Sequence, residues 1–416
     1  MRASIPFAFI FISTSLAAMG DDSLVVESHS TDASGSLIHF SLPADSSLAG
    51  ADSFVLVENE TGARLPAQGT SGDNAFVAQL DLPFPADSKK HFTIDANVEG
   101  TDGSSFEITD DGLGIQFEQG AHPFLRYNYK ADPERTINGM DPQPQVIKRS
   151  GYIDPVWTPS GRKVTEGFPS SYFHHLGVWG AWVNTRYQGT RFDFWNLKSP
   201  KDIELVSFTS WEEEPLAGPV FSGFVAKHRY TLQHPEALEV LLDEALQIKA
   251  FTTKFGNAFD YTLTQEWLAD DPLALKKHRY GGTFAWRYPS SWDAEKGYAT
   301  SSEGHRQMLS GETGVDATHA RWIKVHAFDG DAPVGFLMMS HPDNFRHPEL
   351  TRMMNNGPGL GGYIHFTPVR SGAWKLEKGD INTFKYRAIT FDGTLSEENA
   401  ELLWKQYAEP PKVTFK

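Results

Sequence analysis

Cysteine is absent from all 416 residues of the chain. This absence excludes disulfide bonds, a thiolate nucleophile, iron–sulfur clusters and cysteine-ligated zinc. Any metal would have to be held by histidine and carboxylate side chains. No cofactor is indicated with certainty, and a divalent metal is the kind that the residues present would accept.

Basic residues are also scarce. The chain has 37 Lys and Arg against 53 Asp and Glu, a formal net charge of −16 at pH 7. The longest basic run, Lys-Lys-His-Arg, covers residues 276–279. Nucleic-acid affinity depends on counterions released from phosphates, so this balance argues against a nucleic-acid partner and favours a neutral or cationic one.

After residue 20 no apolar run is long enough to span a bilayer. The first 20 residues have the pattern of a secretory signal, with Arg2, an apolar stretch over 5–19 and small residues before Asp21. Cleavage after Ala17 and cleavage after Gly20 both fit. We therefore expect export to a bacterial periplasm or the extracellular space, without membrane insertion, and leave the oligomeric state open.

The composition predicts an all-β protein, because 36 Gly, 25 Pro and 13% aromatic residues favour turns joined by strands. Short alternating segments from about residue 23 to 97 predict a small N-terminal β-sandwich over 21–105. Longer aromatic segments at 220–225, 259–264 and 334–339 predict a large β-sandwich over 106–416. Residues 239–251 fit a helix and a strand equally well. A capping box of Thr394 and Glu397 predicts a short C-terminal helix that stops before Pro410.

The densest cluster of chemically capable residues lies between 150 and 197. Histidine, aspartate and tryptophan together suit a sugar site, since indole rings stack on CH faces while imidazoles and carboxylates bind hydroxyls. We expect His174 and His175 to be catalytic. On a strand the two would point to opposite faces, whereas on a loop both would converge with Asp154 or Glu166. The expected substrate-binding residues are Asp154, Trp179, Asp193 and Trp195. Packing in a tryptophan-rich core is the alternative explanation for the tryptophans.

A second cluster lies downstream and offers a carboxylate, an arginine and a histidine for acid–base work and anion binding. Its expected catalytic residues are Glu303, Arg321 and His341, and its expected binding residues are Arg279, Tyr280 and Asn344. Gly281-Gly282 lacks the context of a phosphate loop. The serines lack a nucleophile elbow, which argues against a Ser-His-Asp hydrolase.

Several motifs occur in a fixed order: Ser150-Gly151-Tyr152-Ile153-Asp154-Pro155, His174-His175, Asp193-Phe194-Trp195-Asn196, Arg279-Tyr280-Gly281-Gly282 and Ala320-Arg321-Trp322. Over about residues 113–410 this order resembles a bacterial exported family labelled "methane oxygenase PmoA". The resemblance implies a family associated with carbohydrate breakdown and a core of the galactose-mutarotase type, not a membrane methane monooxygenase.

This chain departs from the family pattern at three positions. Members of the family commonly have a histidine at the position of Asp154, and an acidic residue and a histidine at Ser171 and Phe173. If the family site is a histidine metal centre, Asp154 would have to serve as an oxygen ligand.

The leading functional hypothesis is an exported carbohydrate-active enzyme that hydrolyses a glycan or oligosaccharide, with Asp193 and Glu303 as candidate paired carboxylates. Lyase or epimerase chemistry in the same pocket and a non-catalytic sugar-binding envelope protein are the alternatives. A copper or iron oxygenase is a third reading. All of the enzyme hypotheses place the six residues Asp154, His174, His175, Glu303, Arg321 and His341 in one cavity.

Overall fold

The computed structural model describes residues 23–416 apart from 47, 49, 73, 97–104, 134–148, 170–171, 197–204, 235–236, 356 and 358. The predicted signal peptide lies outside the described residues. The boundary that the sequence predicts near 105 adjoins the undescribed range 97–104, and it stays a prediction.

The N-terminal strands alternate buried and exposed side chains. They are β1 (Ser23–Glu27), β2 (Leu37–Ser41), β3 (Ser53–Glu58), β4 (Arg64–Gly69), β5 (Ala75–Gln79) and β6 (Lys89–Asp95). Together with a strand from the other end of the chain they form an antiparallel sheet that encloses its own apolar core. Phe54, Phe76 and Phe92 are fully or almost fully buried in that core.

The larger part of the chain contributes the remaining strands and the helices. The strands are β7 (Phe106–Asp110), β8 (Gly114–Gln119), β9 (His122–Asn128), β10 (Tyr152–Val156), β11 (Val178–Ala181), β12 (Thr185–Tyr187), β13 (Thr190–Phe192), β14 (Val206–Ala217), β15 (Ser222–Gln233), β16 (Leu238–Thr253), β17 (Gly256–Trp267), β18 (Leu273–Leu275), β19 (Gly282–Tyr288), β20 (Tyr298–Ser301), β21 (Arg306–Met308), β22 (Trp322–Asp329), β23 (Ala332–Ser340), β24 (Thr351–Asn355), β25 (Gly362–Phe366), β26 (Trp374–Leu376), β27 (Ile381–Asp392) and β28 (Lys412–Phe415). The helices are a 3₁₀ turn at Pro368–Arg370 and α1 (Glu397–Ala408).

Among the described residues these strands form four sheets. The N-terminal sheet has the order β2-β5-β4-β3-β6-β1-β28. An eight-stranded sheet has the order β24-β25-β19-β11-β10-β9-β8-β7, and a nine-stranded sheet has the order β14-β15-β16-β17-β27-β23-β22-β20-β21. A small sheet has the order β13-β12-β18-β26. The predicted all-β fold class is confirmed.

The eight-stranded and nine-stranded sheets pack face to face around the main core. Trp286 on β19 stacks on Phe336 of β23 with ring centroids 4.4 Å apart, and Phe284 stacks on Tyr386 of β27 at 4.8 Å. Side chains alternate along a strand, so the neighbours of these inward residues on β19 point away from the sandwich. That alternation positions the candidate site described below.

Residues 239–251, which fit helix and strand equally well, lie in β16. This strand pairs along its whole length with β15 on one side and β17 on the other. Leu242, Leu246 and Ile248 all face the main core. Two complete ladders and a buried apolar face outweigh the helix preference of Glu, Leu and Ala.

The helix α1 covers the other face of the nine-stranded sheet. Its Ala400 and Leu403 pack with Trp322, Leu337 and Ile389 of that sheet. The N-cap is Ser396, whose hydroxyl accepts a hydrogen bond from the Asn399 N–H at 3.1 Å. The predicted cap at Thr394 is therefore wrong, because the chain is still extended at Ser396 and only there turns into the helix. The predicted stop before Pro410 is confirmed.

Candidate functional site

The candidate site lies on the outer face of the eight-stranded sheet. Trp286 and Ile364 of β19 and β25 point into the core, so the residues beside them point outward. The outward side chains are Trp179 on β11, Arg287 on β19, and Tyr363 and His365 on β25. All of them are buried because two segments, residues 172–175 and 193–196, pack over them.

His174 and His175 lie in the turn that leads into β11, not on the strand. Their ring centroids are 4.6 Å apart in an edge-to-face arrangement. His175 is buried and lies 4.6 Å from the ring of Tyr363, while His174 is half-buried. Of the two arrangements that the sequence left open, the structure has the converging one.

Gly177 makes this turn fit against the neighbouring strand. Its φ is +83°, and a Cβ there would lie 2.5 Å from the Ile153 carbonyl oxygen and 2.7 Å from Cβ of Asp154. Only glycine combines that backbone conformation with such a close approach. The turn therefore holds the histidine pair beside Asp154 of β10.

The electrostatic centre of the site is Arg287, which is fully buried. Its Nη2 lies 3.5 Å from Oε2 of Glu166 and donates to the Leu360 carbonyl, and its Nη1 lies 3.5 Å from Nδ1 of His175. Glu166 also accepts from the Ser290 N–H at 3.0 Å and the Ser290 hydroxyl at 2.8 Å. Burial, and then the charges of His174 and Arg287, hold the pKa of His175 well below 6.5, so its ring is neutral at pH 7.

Aromatic rings surround His175, and we name Trp179, Trp195, Tyr280 and Tyr363 the aromatic site. The Trp179 and Trp195 rings lie 4.9 Å apart, and Trp195 lies 5.7 Å from Tyr280 and 6.1 Å from Tyr363. The indole N–H groups of Trp179 and Trp195 are buried and have no hydrogen-bond partner. Most buried polar groups in proteins are paired, so two neighbouring donors without acceptors are a specific feature of this face.

The two aspartates predicted for this region are already engaged in local hydrogen bonds. Asp193 accepts from the N–H groups of Trp195 and Asn196, both at 3.0 Å, and from Nδ2 of Asn196 at 2.6 Å. Asp154 accepts from the Thr165 hydroxyl at 2.7 Å. Asp193 therefore shapes the turn that carries Trp195, and Asp154 braces the segment that carries Glu166.

Four of the predicted residues lie on the opposite side of the sandwich. The Arg321 guanidinium donates to Glu401 of α1 at 2.7 Å and lies 4.6 Å from the Trp404 ring centroid. Glu303 is exposed and lies 3.4 Å from Nε of Arg321. These contacts place the pair beside the helix on the outer face of the nine-stranded sheet.

His341 and Asn344 belong to the same distant region. The His341 ring lies 5.2 Å from the ring of Tyr407 in α1. Asn344 is buried, donates to the Lys385 carbonyl at 2.8 Å and accepts from the Lys385 N–H at 2.7 Å. The prediction of one cavity is therefore wrong, and so is the carboxylate pair of Asp193 and Glu303. Order along a sequence does not say which face of which sheet a residue occupies.

Among the residues that the structure describes, no group of three or more His, Asp or Glu side chains is placed to hold a metal ion. Asp154 has no histidine cluster around it in that part of the chain. The metal that the sequence left open stays a prediction.

Residues 114–405 match a family described as "Family of unknown function (DUF6807)". This chain belongs to the DUF6807 family. The matched range contains every candidate residue of both regions, and no curated protein matches the chain.

Three solved structures to which the DUF6807 chain is similar illustrate the range of proteins that share parts of its fold. An alpha-mannosidase from Enterococcus faecalis matches at 10% identity over 95% of this chain and 46% of that chain, with a TM-score of 0.49. A galactose mutarotase-like protein from Lactobacillus casei matches at 10% identity over 68% of this chain and 99% of that chain, with a TM-score of 0.31. An alpha-galactosidase from Geobacillus stearothermophilus matches at 12% identity over 69% of this chain and 40% of that chain, with a TM-score of 0.31.

These similarities decide nothing about activity, since every one of these TM-scores is below 0.5. The DUF6807 chain also spans slightly less than half the length of the mannosidase. In the described part of the chain, none of the helices is long and apolar enough to cross a membrane.

Sequence reasoning missed Arg287, Tyr363 and His365 of this DUF6807 site. A signal for Arg287 was present, because it is the only charged residue in the apolar segment Gly282–Tyr288, and an arginine in a strand that is otherwise buried needs a partner. Glu166 was named only as a neighbour of the histidine pair. Tyr363 and His365 carried no signal, since alternating aromatics on a strand usually pack in a core.

A separate buried carboxyl, Glu349, links the two large sheets. It accepts from the Ser340 hydroxyl at 2.6 Å and from the Tyr386 hydroxyl at 2.9 Å. The Ser340 hydroxyl lies 3.3 Å from Nδ1 of His347. Burial is the main influence on Glu349 and raises its pKa to about 7, against 4.5 for an ordinary glutamate.

Replacing Glu349 by glutamine is expected to stabilise the protein at alkaline pH relative to the wild type. A raised folded-state pKa gives stability that is present below the unfolded pKa of about 4.5 and lost as pH rises through about 7. The glutamine variant does not titrate, so its stability relative to wild type should improve by roughly 3 kcal/mol between pH 4.5 and pH 8.5. Urea unfolding at several pH values measures this. The exposed variant Glu377→Gln is the control, and parallel pH profiles for E349Q and wild type would contradict the expectation.

Proposed function

We propose that this DUF6807 protein is an exported carbohydrate-active enzyme that holds a sugar against the aromatic site. The observation that carries the proposal is the pair of buried, unpartnered indole N–H groups on Trp179 and Trp195. A buried donor without an acceptor costs about 1–3 kcal/mol. A sugar supplies hydroxyl oxygens to such donors and an apolar CH face to the rings around them.

The acid–base group of the proposed reaction is His174. It is half-buried, and it lies directly against His175, whose ring stays neutral. A neutral imidazole next to His174 adds no positive charge that would oppose proton uptake there. His175 and Arg287 act as positioning residues, because their contacts run to each other and to the strands below.

Proton transfer by histidine fits this site better than hydrolysis by two carboxylates. Glycoside hydrolysis normally uses a carboxylate on each side of the bond. Here Glu303 lies on the far side of the sandwich, and Asp154, Glu166 and Asp193 are each held by hydrogen bonds of their own. The reaction class that follows is elimination or epimerisation of a sugar, in which one histidine removes a proton from carbon.

The His174→Asn variant tests this proposal. With a panel of oligosaccharides and product analysis by mass spectrometry and ultraviolet absorbance, the wild type should form an unsaturated or epimerised sugar. The variant should lose about 100-fold or more in kcat/KM, the usual contribution of a positioned general base. His305→Asn is the matched control, because His305 is exposed in the turn between β20 and β21. Its kinetics should equal those of the wild type.

Two other results would count against the proposal. New reducing ends without an unsaturated or epimerised product would replace proton abstraction by hydrolysis. Sugar binding that quenches tryptophan fluorescence without any turnover would identify a sugar-binding protein instead of an enzyme.

A further inference from the structure

A row of basic side chains crosses the small sheet next to the aromatic site. Arg191 of β13 is paired with Arg186 of β12, Arg186 with Ala274 of β18, and Ala274 with Lys375 of β26. Residues that are direct partners in adjacent strands point to the same face of a sheet. Three of the four positions across this sheet are therefore cationic on one face, and we name Arg186, Arg191 and Lys375 the basic row.

The two arginines of the basic row are exposed, and they lie directly opposite each other. Like charges in direct cross-strand positions are destabilising. In the described part of the chain neither arginine makes an ion pair, whereas Lys375 pairs with Glu377 at 2.6 Å. Fixed positive charge of this kind is unexpected on a chain with a net charge of −16.

The basic row continues into the segment that leads to the aromatic site. β18 ends at Leu275, and the exposed Lys276, Lys277 and Arg279 follow it. The Lys276 N–H donates to the Asn184 carbonyl at 3.2 Å, which keeps this segment beside β12. Within the described residues none of these three side chains forms an ion pair.

The end of this segment touches the aromatic site itself. The Arg279 guanidinium lies 6.0 Å from the ring centroid of Tyr280, and the His278 ring lies 4.5 Å from it. After burial, the charges of Arg279 and Arg191 are the causes that lower the pKa of His278, so both arginines act on the same imidazole. The cations and the proposed sugar site therefore form one continuous surface.

The carboxylates near this surface are mostly engaged elsewhere. Asp271 accepts from Gln188, Asp270 pairs with Lys378, and Glu239 accepts from Tyr187. Asp193, at the end of β13, is held by Asn196 and by two backbone N–H groups. The potential over the row and the adjoining segment is therefore positive.

We propose that the basic row and the adjoining cations bind an anionic glycan, carboxylated or sulfated, that runs into the aromatic site. This inference rests on the proposed function and names the charge of its substrate. Strands lie about 4.8 Å apart, so the row presents cations over roughly 14 Å from Arg191 to Lys375. That length suits several anionic groups along an extended sugar chain.

The local charge thus reverses the expectation of a neutral or cationic partner, which came from the net charge alone. A nucleic acid fits less well, because the cations form a narrow row that leads to a sugar-sized aromatic surface. The remainder of the acidic chain would repel a long polyphosphate.

The test compares the double variant Arg186→Gln with Arg191→Gln against wild type in titrations at low salt. The probes are an end-labelled polygalacturonate fragment, a chondroitin sulfate fragment and a neutral glucan fragment of equal length. We expect acidic fragments to bind the wild type, and the double variant to bind them about tenfold more weakly. The slope of log K against log salt should fall by about 1 to 2, as expected when two cation contacts are removed.

The control is the double variant Lys254→Gln with Lys412→Gln, which removes two exposed lysines far from the row. It should bind the acidic fragments as wild type does, and thermal unfolding should show both double variants folded. Unchanged affinity in the arginine variant, equal affinity of wild type for the neutral glucan, or equally tight binding of duplex DNA would overturn the proposal.

Failure of this inference can be told apart from failure of the proposed function. His174→Asn should lose turnover while it keeps the affinity and salt slope of the wild type. Salt-dependent binding of acidic fragments without turnover leaves the basic row correct and the enzyme wrong. Turnover of a neutral glycan that is unaffected by the arginine variant leaves the enzyme correct and the basic row wrong.

Discussion

Replacing Glu244 by leucine is expected to lower the free energy of unfolding by about 4 kcal/mol. Glu244 is buried between the two large sheets and accepts from Nδ1 of His228 at 2.8 Å, from Tyr230 at 3.1 Å and from Gln265 at 2.6 Å. Leucine has a similar volume but leaves three buried donors without an acceptor, at about 1–3 kcal/mol each. Denaturant unfolding at pH 7.5 measures the change.

The network extends beyond Glu244, so a partial change should cost much less. Gln265 also accepts from the indole N–H of Trp182 at 2.9 Å, and His228 contacts the Tyr127 hydroxyl. Tyr230→Phe removes only one of the three bonds to Glu244 and should cost about 1 kcal/mol. Burial and Glu244 hold the pKa of Tyr230 well above 10, so its hydroxyl remains a donor at neutral pH. Equal losses for E244L and Y230F would show that the three bonds do not act together.

The second large effect is expected for Arg287→Met. Removing one partner of a buried ion pair costs about 3–5 kcal/mol, and this change leaves Glu166 without its cation and the Leu360 carbonyl without its donor. It also removes a charge that lowers the pKa of His175. We therefore expect lower stability, a higher pKa for His175 and reduced activity in the same variant.

Denaturant unfolding and histidine NMR titration measure the first two effects separately. A merely structural role would lower stability without moving the His175 titration toward its ordinary range. Arg287→Lys keeps one charge, so it should restore the low pKa in part while still losing the Leu360 contact. If R287M unfolds as wild type does, the ion pair with Glu166 contributes little and the role assigned to Arg287 is wrong.

The strands were predictable because burial alternates along them. In β17, Phe259, Tyr261 and Leu263 face the core at every second position, and that spacing is visible in the sequence. β16 was ambiguous, since its residues prefer helix and only the pairing with two neighbours decides the outcome. The cap of α1 was misplaced by two residues for a similar reason, because Thr394 and Ser396 are both competent caps.

The candidate site was predictable only where its residues are close together in the chain. His174, His175 and Trp179 fall within six positions, so one turn and one strand must bring them near each other. Arg321 follows a segment that pairs in the other sheet, and its contacts are with α1. A single sequence carries no information on which of two stacked sheets will receive a strand, so the second cluster was assigned to the wrong face.

The last strand of the chain has a consequence for the order in which the protein can become complete. β28 pairs with β1 along Leu24–Glu27, and the Lys416 N–H donates to the Ser23 carbonyl at 2.8 Å. Val413 and Phe415 pack on the core of the N-terminal sheet. The first sheet to be synthesised therefore waits for the last residues before its core closes, and the two ends of the described chain meet side by side. Folding of the whole molecule is thus tied to the arrival of its final strand, whichever part of the large sandwich forms earlier.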